Sequence, residues 1–334
     1  MRSTVSLSFL LVLLTLGCDC SSSDPAVGSG SEDETAERRV IAVIPKGTTH
    51  VFWRSVHAGA LRAANDLDVD IVWQGPVRED DRSAQIRVVE DMISRRVNAI
   101  VLAPLDDTAL VPVATEATRE GIPVVIFDSG IEWDGRVSFV ATDNFQGGAL
   151  AAERMNELLG GSGTVMVMRY QEGSASTSDR ERGFLETMRE RFSGIQIVSD
   201  NQYGGATTET AYGVAENLLV SHPDVGGVFT PNESTTFGML RALTDADRAG
   251  AVKFVGFDAN DNLVAALRDG NIHGLVLQNP ERMGELGVRT AVAHLDGEEV
   301  EARIDTGATM VTRDNMEEPA VAQLLHPDLS VLGD

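Results

Sequence analysis

Five apolar runs in this sequence each end on, or lead into, a polar side chain able to grip a hydroxylated small molecule. They are PVVIF before Asp128, TVMVM with Arg180 downstream, GGVFTP before Asn232, KFVGF before Asp258 and HGLVL before Gln278. An ionised carboxylate accepts two or more hydroxyl hydrogen bonds, and charge-assisted bonds are about twice as strong as neutral ones. A guanidinium fork donates to two neighbouring hydroxyls at once, and a carboxamide pairs with a hydroxyl in either sense. Structural uses compete with these: Asp is a favoured helix N-cap, and an Arg on a helix can simply face water. In an open parallel sheet, however, ligands sit in the crevice outside the carboxyl ends of the strands, where polar groups recurring after strands converge.

The elements that must position these groups alternate. Short β-branched runs predict strands at 40–44, 70–73, 99–103 and 124–128, with amphipathic helices at 51–66, 82–95 and 108–120 between them. Gly121-Ile122-Pro123 stops the third helix. After a strand at 137–142 a second series follows: helix 144–159, strand 164–169, helix 179–192, strand 195–199, helix 208–220, strand 225–230, helix 235–245 and strand 252–257. The tail beyond 317 predicts only a short helix packed on the body. A chain of 334 residues exceeds the size at which one core keeps growing, so two lobes are expected, each a similar βαβ layer.

The composition is that of a globular protein, and the charge is strongly acidic: 27 basic against 51 acidic residues, a net charge of -24. Such a field repels phosphate backbones and anionic lipid, which argues against nucleic acid as a partner. The sequence carries no G-x-S-x-G elbow, Walker A loop or H-E-x-x-H helix. Its six histidines, at 50, 57, 222, 273, 294 and 326, lack metal-ligand spacing. No cofactor or metal is therefore expected, and no enzyme, although Asp128 and Asp258 could imitate the carboxylate pair of a glycosidase.

The N-terminus differs from the rest. Arg2 precedes an apolar run at 5–16 that is too short to span a bilayer of ~30 Å, so residues 1–17 read as a signal peptide. Leu14-Thr15-Leu16-Gly17-Cys18 resembles a bacterial lipobox, with Thr15 a departure, which implies lipidation of Cys18. Residues 18–38, rich in Ser, Gly and acids, then form a flexible tether. Cys18 and Cys20 are the only cysteines, so no disulfide framework supports the body.

Between 40 and 278 lie IAVIPKGTTHVFWRSVHAGA, GIPVVIFDSG, VATDNFQGG, GSASTSDRERGF, HPDVGGVFTPNESTTFGMLRAL, FVGFDAN and GLVLQNPERMG. In order and spacing these resemble periplasmic sugar-binding proteins of the ribose-binding type, the substrate-binding proteins of ABC transporters. The resemblance implies an α/β fold of two Rossmann-like lobes with parallel sheets, joined by a three-strand hinge near Thr142, Gln278 and Asp305. Lobe 1 would comprise 39–142 plus 279–305, and lobe 2 would comprise 143–278 plus 306–334.

It also implies roles for particular residues. Phe52 and Trp53 occupy the position where the family stacks aromatics on the sugar, unless they merely enter the core at a helix start, and Tyr203 in NQYGG matches a third aromatic. Arg180 fits the family pattern Arg-x-x-Gly-Phe at the cleft. Lys46 and His50 lie in the first strand-to-helix loop, which faces the cleft, and Lys46 is one of only two lysines in the chain. With Asp128, Asn232, Asp258 and Gln278 these complete the expected ligand set. Departures stand out: Ala103 replaces an asparagine of ribose binders, Ser129 an arginine, and His50-Val51 an Asn-Pro pair, so the hydroxyl pattern accepted differs from that of ribose.

The function implied is a monomeric lipoprotein in the periplasm, anchored to a bacterial membrane by lipid alone. It would capture a monosaccharide or related polyol and deliver it to an ABC transporter permease. Three other readings share parts of the pattern: a sugar-sensing receptor for a membrane kinase or chemoreceptor, a transcriptional regulator and a sugar-processing enzyme. A regulator would need a basic helix-turn-helix before Val40, where the chain has an acidic tether instead.

Overall fold

A computed structural model describes residues 38–333. The N-terminal readings, the signal peptide, Cys18 and most of the tether, lie outside the described residues.

Period-two alternation builds the first sheet. In β1 (Val40–Ile44), Ile41 and Val43 pack with α1 (Val51–Leu67), whereas Ala42 and Ile44 pack with α2 (Arg82–Ser94) on the opposite face. Strands β2 (Asp70–Trp73), β3 (Ala99–Leu102), β4 (Val124–Phe127) and β5 (Ser138–Ala141) join it, with α3 (Val111–Arg119) before β4. With β11 (Arg303–Asp305) at the edge, the order is β11-β5-β4-β3-β1-β2, every pair parallel. Both faces are covered, which is why β3 and β4 are continuously apolar and fully buried.

The second sheet repeats this plan. It contains β6 (Gly163–Arg169), β7 (Ile195–Tyr203), β8 (Gly227–Phe229), β9 (Lys253–Phe257), β10 (Gly274–Gln278) and β12 (Ala308–Val311). Helices α4 (Asn144–Leu159) and α5 (Ala175–Arg191) cover one face, while α6 (Thr208–Ser221), α7 (Glu233–Asp245) and α8 (Asp261–Asp269) cover the other. The order is β12-β10-β9-β8-β6-β7, parallel except for β12, which runs against β10. The orders 2-1-3-4-5 and 7-6-8-9-10 are the same doubly wound topology, so each sheet has its switch point beside its central strand. Helix α9 (Pro280–Leu295) returns the chain to the first sheet, where it packs on α1.

Most expected elements form where sequence placed them, β1, β2 and α4 to the residue. Two boundaries differ in ways that matter. Helix α5 starts at Ala175, a turn earlier than expected, and β7 runs on to Tyr203 rather than stopping at 199.

After β12 comes α10 (Pro319–Leu325), the short helix expected of the tail. Its Val321 and Leu325 enter the core of the second sheet. A 3-10 turn, Ser330–Leu332, then lies against α1, where Arg62 pairs with Asp328 at 3.0 Å.

Candidate functional site

The carboxyl ends of the two sheets face each other across a cleft of about 340 Å³, its open mouth included. From the first sheet come Lys46 and His50 after β1, Phe52 and Trp53 from the first turn of α1, Glu79 after β2 and Asp128 after β4. From the second come Tyr170 after β6, Ser176, Thr177 and Arg180 of α5, Asn232 and Glu233 at the head of α7, Asp258 after β9, and Gln278 ending β10.

Glu79 organises the first wall. Its carboxylate accepts Trp53 Nε1 at 2.6 Å, sits 2.9 Å from His50 Nδ1, and accepts the Tyr170 hydroxyl from the opposite wall at 2.8 Å. Burial opposes charge on His50, but the Glu79 carboxylate outweighs it and lifts His50 to about 9. Burial would likewise raise Glu79, yet His50, Trp53 and Lys46 together hold it at about 2. The Tyr170 phenol is pushed well above its ordinary range by burial and by Glu79, so it stays a donor. Lys46, also buried, lies 3.2 Å from Asp128 and donates to Ser176 at 2.9 Å and Ser174 at 3.3 Å.

The segment 170–176 carries most of these bonds between walls. Besides Tyr170, Ser174 and Ser176, the Gln171 amide reaches the Glu79 carbonyl at 2.8 Å, and the Glu172 carbonyl accepts Arg82 at 2.9 Å. The Gly173 carbonyl accepts the Asp107 N–H at 2.9 Å, and the Ser176 N–H reaches Ser129 Oγ at 3.1 Å. Ser129, where an arginine was expected of a ribose binder, thus ties the walls together.

The second wall is anchored by Arg180. Its Nε donates to Asn144 at 2.8 Å and its Nη1 to the Pro231 carbonyl at 2.9 Å, while the guanidinium carbon stands 4.2 Å over the Phe257 ring. Asp258 lies 3.9 Å from Arg180, accepts Gln278 Nε2 at 2.8 Å and accepts the Glu233 N–H at 3.2 Å. Burial raises the Asp258 carboxyl, with Arg180 and Gln278 opposing. Among the described residues, two buried side-chain atoms here have no partner, Glu233 Oε2 and Gln278 Oε1. Both accept and neither donates, so a molecule completing this wall must bring hydrogen-bond donors.

A family model for the periplasmic binding protein domain matches residues 41–299. The chain belongs to that family. The D-ribose/D-allose-binding protein of Pseudomonas aeruginosa is 32% identical over 88% of this chain and 94% of its own. The ribose import binding protein of Bacillus subtilis is 27% identical over 94% of this chain and 100% of its own. A carbohydrate transporter solute-binding protein from Agrobacterium radiobacter, in complex with D-arabinose, is 33% identical with a TM-score of 0.84, covering 87% of this chain and 100% of that one. An ABC transporter solute-binding protein from Agrobacterium vitis with bound D-fucose is 37% identical with a TM-score of 0.83, covering 86% and 100%.

In this periplasmic binding protein, nine of the ten ligand residues expected from sequence line the cleft: Lys46, His50, Phe52, Trp53, Asp128, Arg180, Asn232, Asp258 and Gln278. Tyr203 does not. It is the last residue of edge strand β7, 37% exposed, with Arg169 5.3 Å over its ring. Tyr170 is the aromatic present instead. Phe52 and Trp53 line the cleft and also pack edge to face at 4.8 Å, with Trp53 against Phe127 in the core. Sequence reading missed Glu79, Tyr170, Ser176, Thr177 and Glu233. Tyr170 and Glu233 carried the usable signal, because one directly follows a strand and the other directly follows a residue already chosen.

Proposed function

We propose that this periplasmic binding protein captures a monosaccharide or related polyol by hinge closure and delivers it, chemically unchanged, to an ABC importer. The observation that carries the reading is the pair of buried, unpaired acceptors, Glu233 Oε2 and Gln278 Oε1, in a cleft also lined by Phe52 and Trp53. A sugar answers both needs: hydroxyls donate to the acceptors, and its C–H face lies on an aromatic ring. The relatives named for ribose and allose, and those with bound D-arabinose and D-fucose, support the same ligand class.

The lobes are assigned as 39–142 plus 279–305 and 143–278 plus 306–334, with crossings near Thr142, Gln278 and Asp305. Adjacent bonds support this hinge: Thr142 Oγ1 donates to the Gly307 carbonyl at 3.1 Å, and Asp305 accepts the Asp143 N–H at 3.1 Å. The open form admits ligand, contacts from both walls favour the closed form, and the permease recognises that form. Ligand drives closure only as far as its affinities for the two forms differ. A binder is favoured over a hydrolase because Asp128 is held by Lys46, and Asp258 by Gln278 and the head of α7. We assign the protein as a monomer, held to a bacterial membrane through lipid on Cys18.

Titration calorimetry of the body with D-ribose, D-allose, D-arabinose and D-fucose tests the reading. Saturable heat with at least one of them is expected. Heat with none, or release of an altered sugar, would reject it.

A further inference from the structure

We infer that Glu233, alongside Asn232, reads a ligand hydroxyl at the head of α7, and that it thereby helps set which sugar the cleft accepts. The inference rests on the sugar-binding reading above and extends it to one atom. Asn232, which sequence pattern points to, is committed through its oxygen and one amide hydrogen, which leaves one N–H able to donate. Its Oδ1 caps α7, accepting the Thr235 N–H at 3.3 Å and the Thr235 hydroxyl at 2.6 Å, and its Nδ2 donates to Ser234 at 3.1 Å.

Glu233 is placed differently. Its N–H is held by Asp258 and its Oε1 by Asn260 Nδ2 at 3.1 Å, which fixes the side chain from both ends. Its Oε2 is buried and has no partner, in a residue that lines the cleft and is only 8% exposed. A carboxylate oxygen can only accept, so it rewards a hydroxyl and penalises a bare carbon or an ether oxygen at the same point. Burial raises the Glu233 carboxyl, with His50 and the Asn260 hydrogen bond opposing. Its position in the first turn of α7 favours the ionised form through the helix dipole.

The test is calorimetry with D-ribose, D-allose, D-arabinose and D-fucose, and then with the monodeoxy derivatives of whichever binds best. Glu233→Gln preserves volume and the Asn260 contact, and Glu233→Ala removes the acceptor. Expected losses for the parent sugar are about fivefold or more and about tenfold or more, as for one charge-assisted hydrogen bond. One deoxy derivative should be weakened in the wild-type protein yet bind both variants about as well as the parent sugar does. Thermal unfolding without ligand checks that the variants remain folded. Sugar binding that changes less than about threefold in both variants overturns the inference alone, as does a loss shared evenly by every deoxy derivative. A 2-amino-2-deoxy sugar that binds more tightly than its neutral parent would show that the site reads ammonium instead. No binding of any sugar to the wild-type protein overturns both this inference and the reading beneath it.

Discussion

Asp128 and Asp258 hold the same place in the two sheets. Each follows the last residue of a strand, β4 or β9, and each adopts a left-handed backbone, φ 58° and 64°. Each donates its N–H to the neighbouring strand, Asp128 to the Val140 carbonyl and Asp258 to the Val276 carbonyl, both at 3.0 Å. Neither caps a helix of its own. The conformation turns the chain sharply off the sheet and presents the carboxylate to the cleft.

A left-handed backbone costs most L-residues roughly 1–2 kcal/mol, while Asn and Asp tolerate it. Asp258→Asn should therefore stay folded with a melting temperature close to wild type, yet lose the ligand-dependent rise in that temperature. Asp258→Ala should lose the same response and also unfold more easily, by about 1 kcal/mol. Thermal melts of both variants with and without sugar check this, and an unchanged ligand response in Asp258→Asn would contradict it.

The His50–Glu79 pair predicts a pH window. His50 is raised to about 9, so its contribution to the folded state is complete below its ordinary value of about 6.5 and disappears as pH rises through about 9. Glu79 is lowered to about 2, so its contribution is present above about 4.5 and is lost only as pH falls through about 2. Stability followed from about pH 7 to about pH 10 should decline more in the wild-type protein than in His50→Gln, which has no proton to lose there. Parallel curves would count against the pair.

Gly173 adopts φ +87°, and a Cβ there would stand 2.2 Å from Asp106 Oδ2. Its carbonyl meanwhile holds Asp107 on the facing wall. Gly173→Ala should leave both sheet cores intact by circular dichroism and weaken sugar binding about tenfold or more, from backbone strain and steric displacement together. A change below about twofold would show that the segment tolerates the shift.

Tyr203 lies outside the cleft, so Tyr203→Ala should leave sugar affinity within about twofold of wild type, in contrast to an aromatic that stacks on ligand. Calorimetry with the best-bound sugar decides it.

The alternation of strands and helices was readable because both sheets are covered on both faces, which writes long apolar runs into β3, β4, β9 and β10. What failed was polar in sequence. The first turn of α5, Ala175-Ser176-Thr177-Ser178, consists mainly of residues that favour caps and turns, so sequence pattern places the helix start late and passes over Ser176 and Thr177. The end of β7, Ser199-Asp200-Asn201-Gln202-Tyr203, is poor in strand formers and forms an edge whose pairing with β6 shifts register, so sequence pattern stops the strand at 199 and the family match alone points to Tyr203. Glu79 stands in the acidic run Glu79-Asp80-Asp81, where Asp81 caps α2 and nothing local distinguishes one acid from the next. Only the tertiary approach of His50, Trp53 and Tyr170 singles it out.

The tail after β12 has a mechanical consequence. Its helix is rooted under the second sheet, whereas Asp328 grips Arg62 on a helix of the first. Tension applied beyond residue 333 would strip that exposed ion pair, worth about 1 kcal/mol or less, before it loaded Leu325 and Val321 in the core. Pulling from Arg38, which leads directly into β1, would load the first sheet at once. The two ends of the body should therefore yield in different steps when drawn apart.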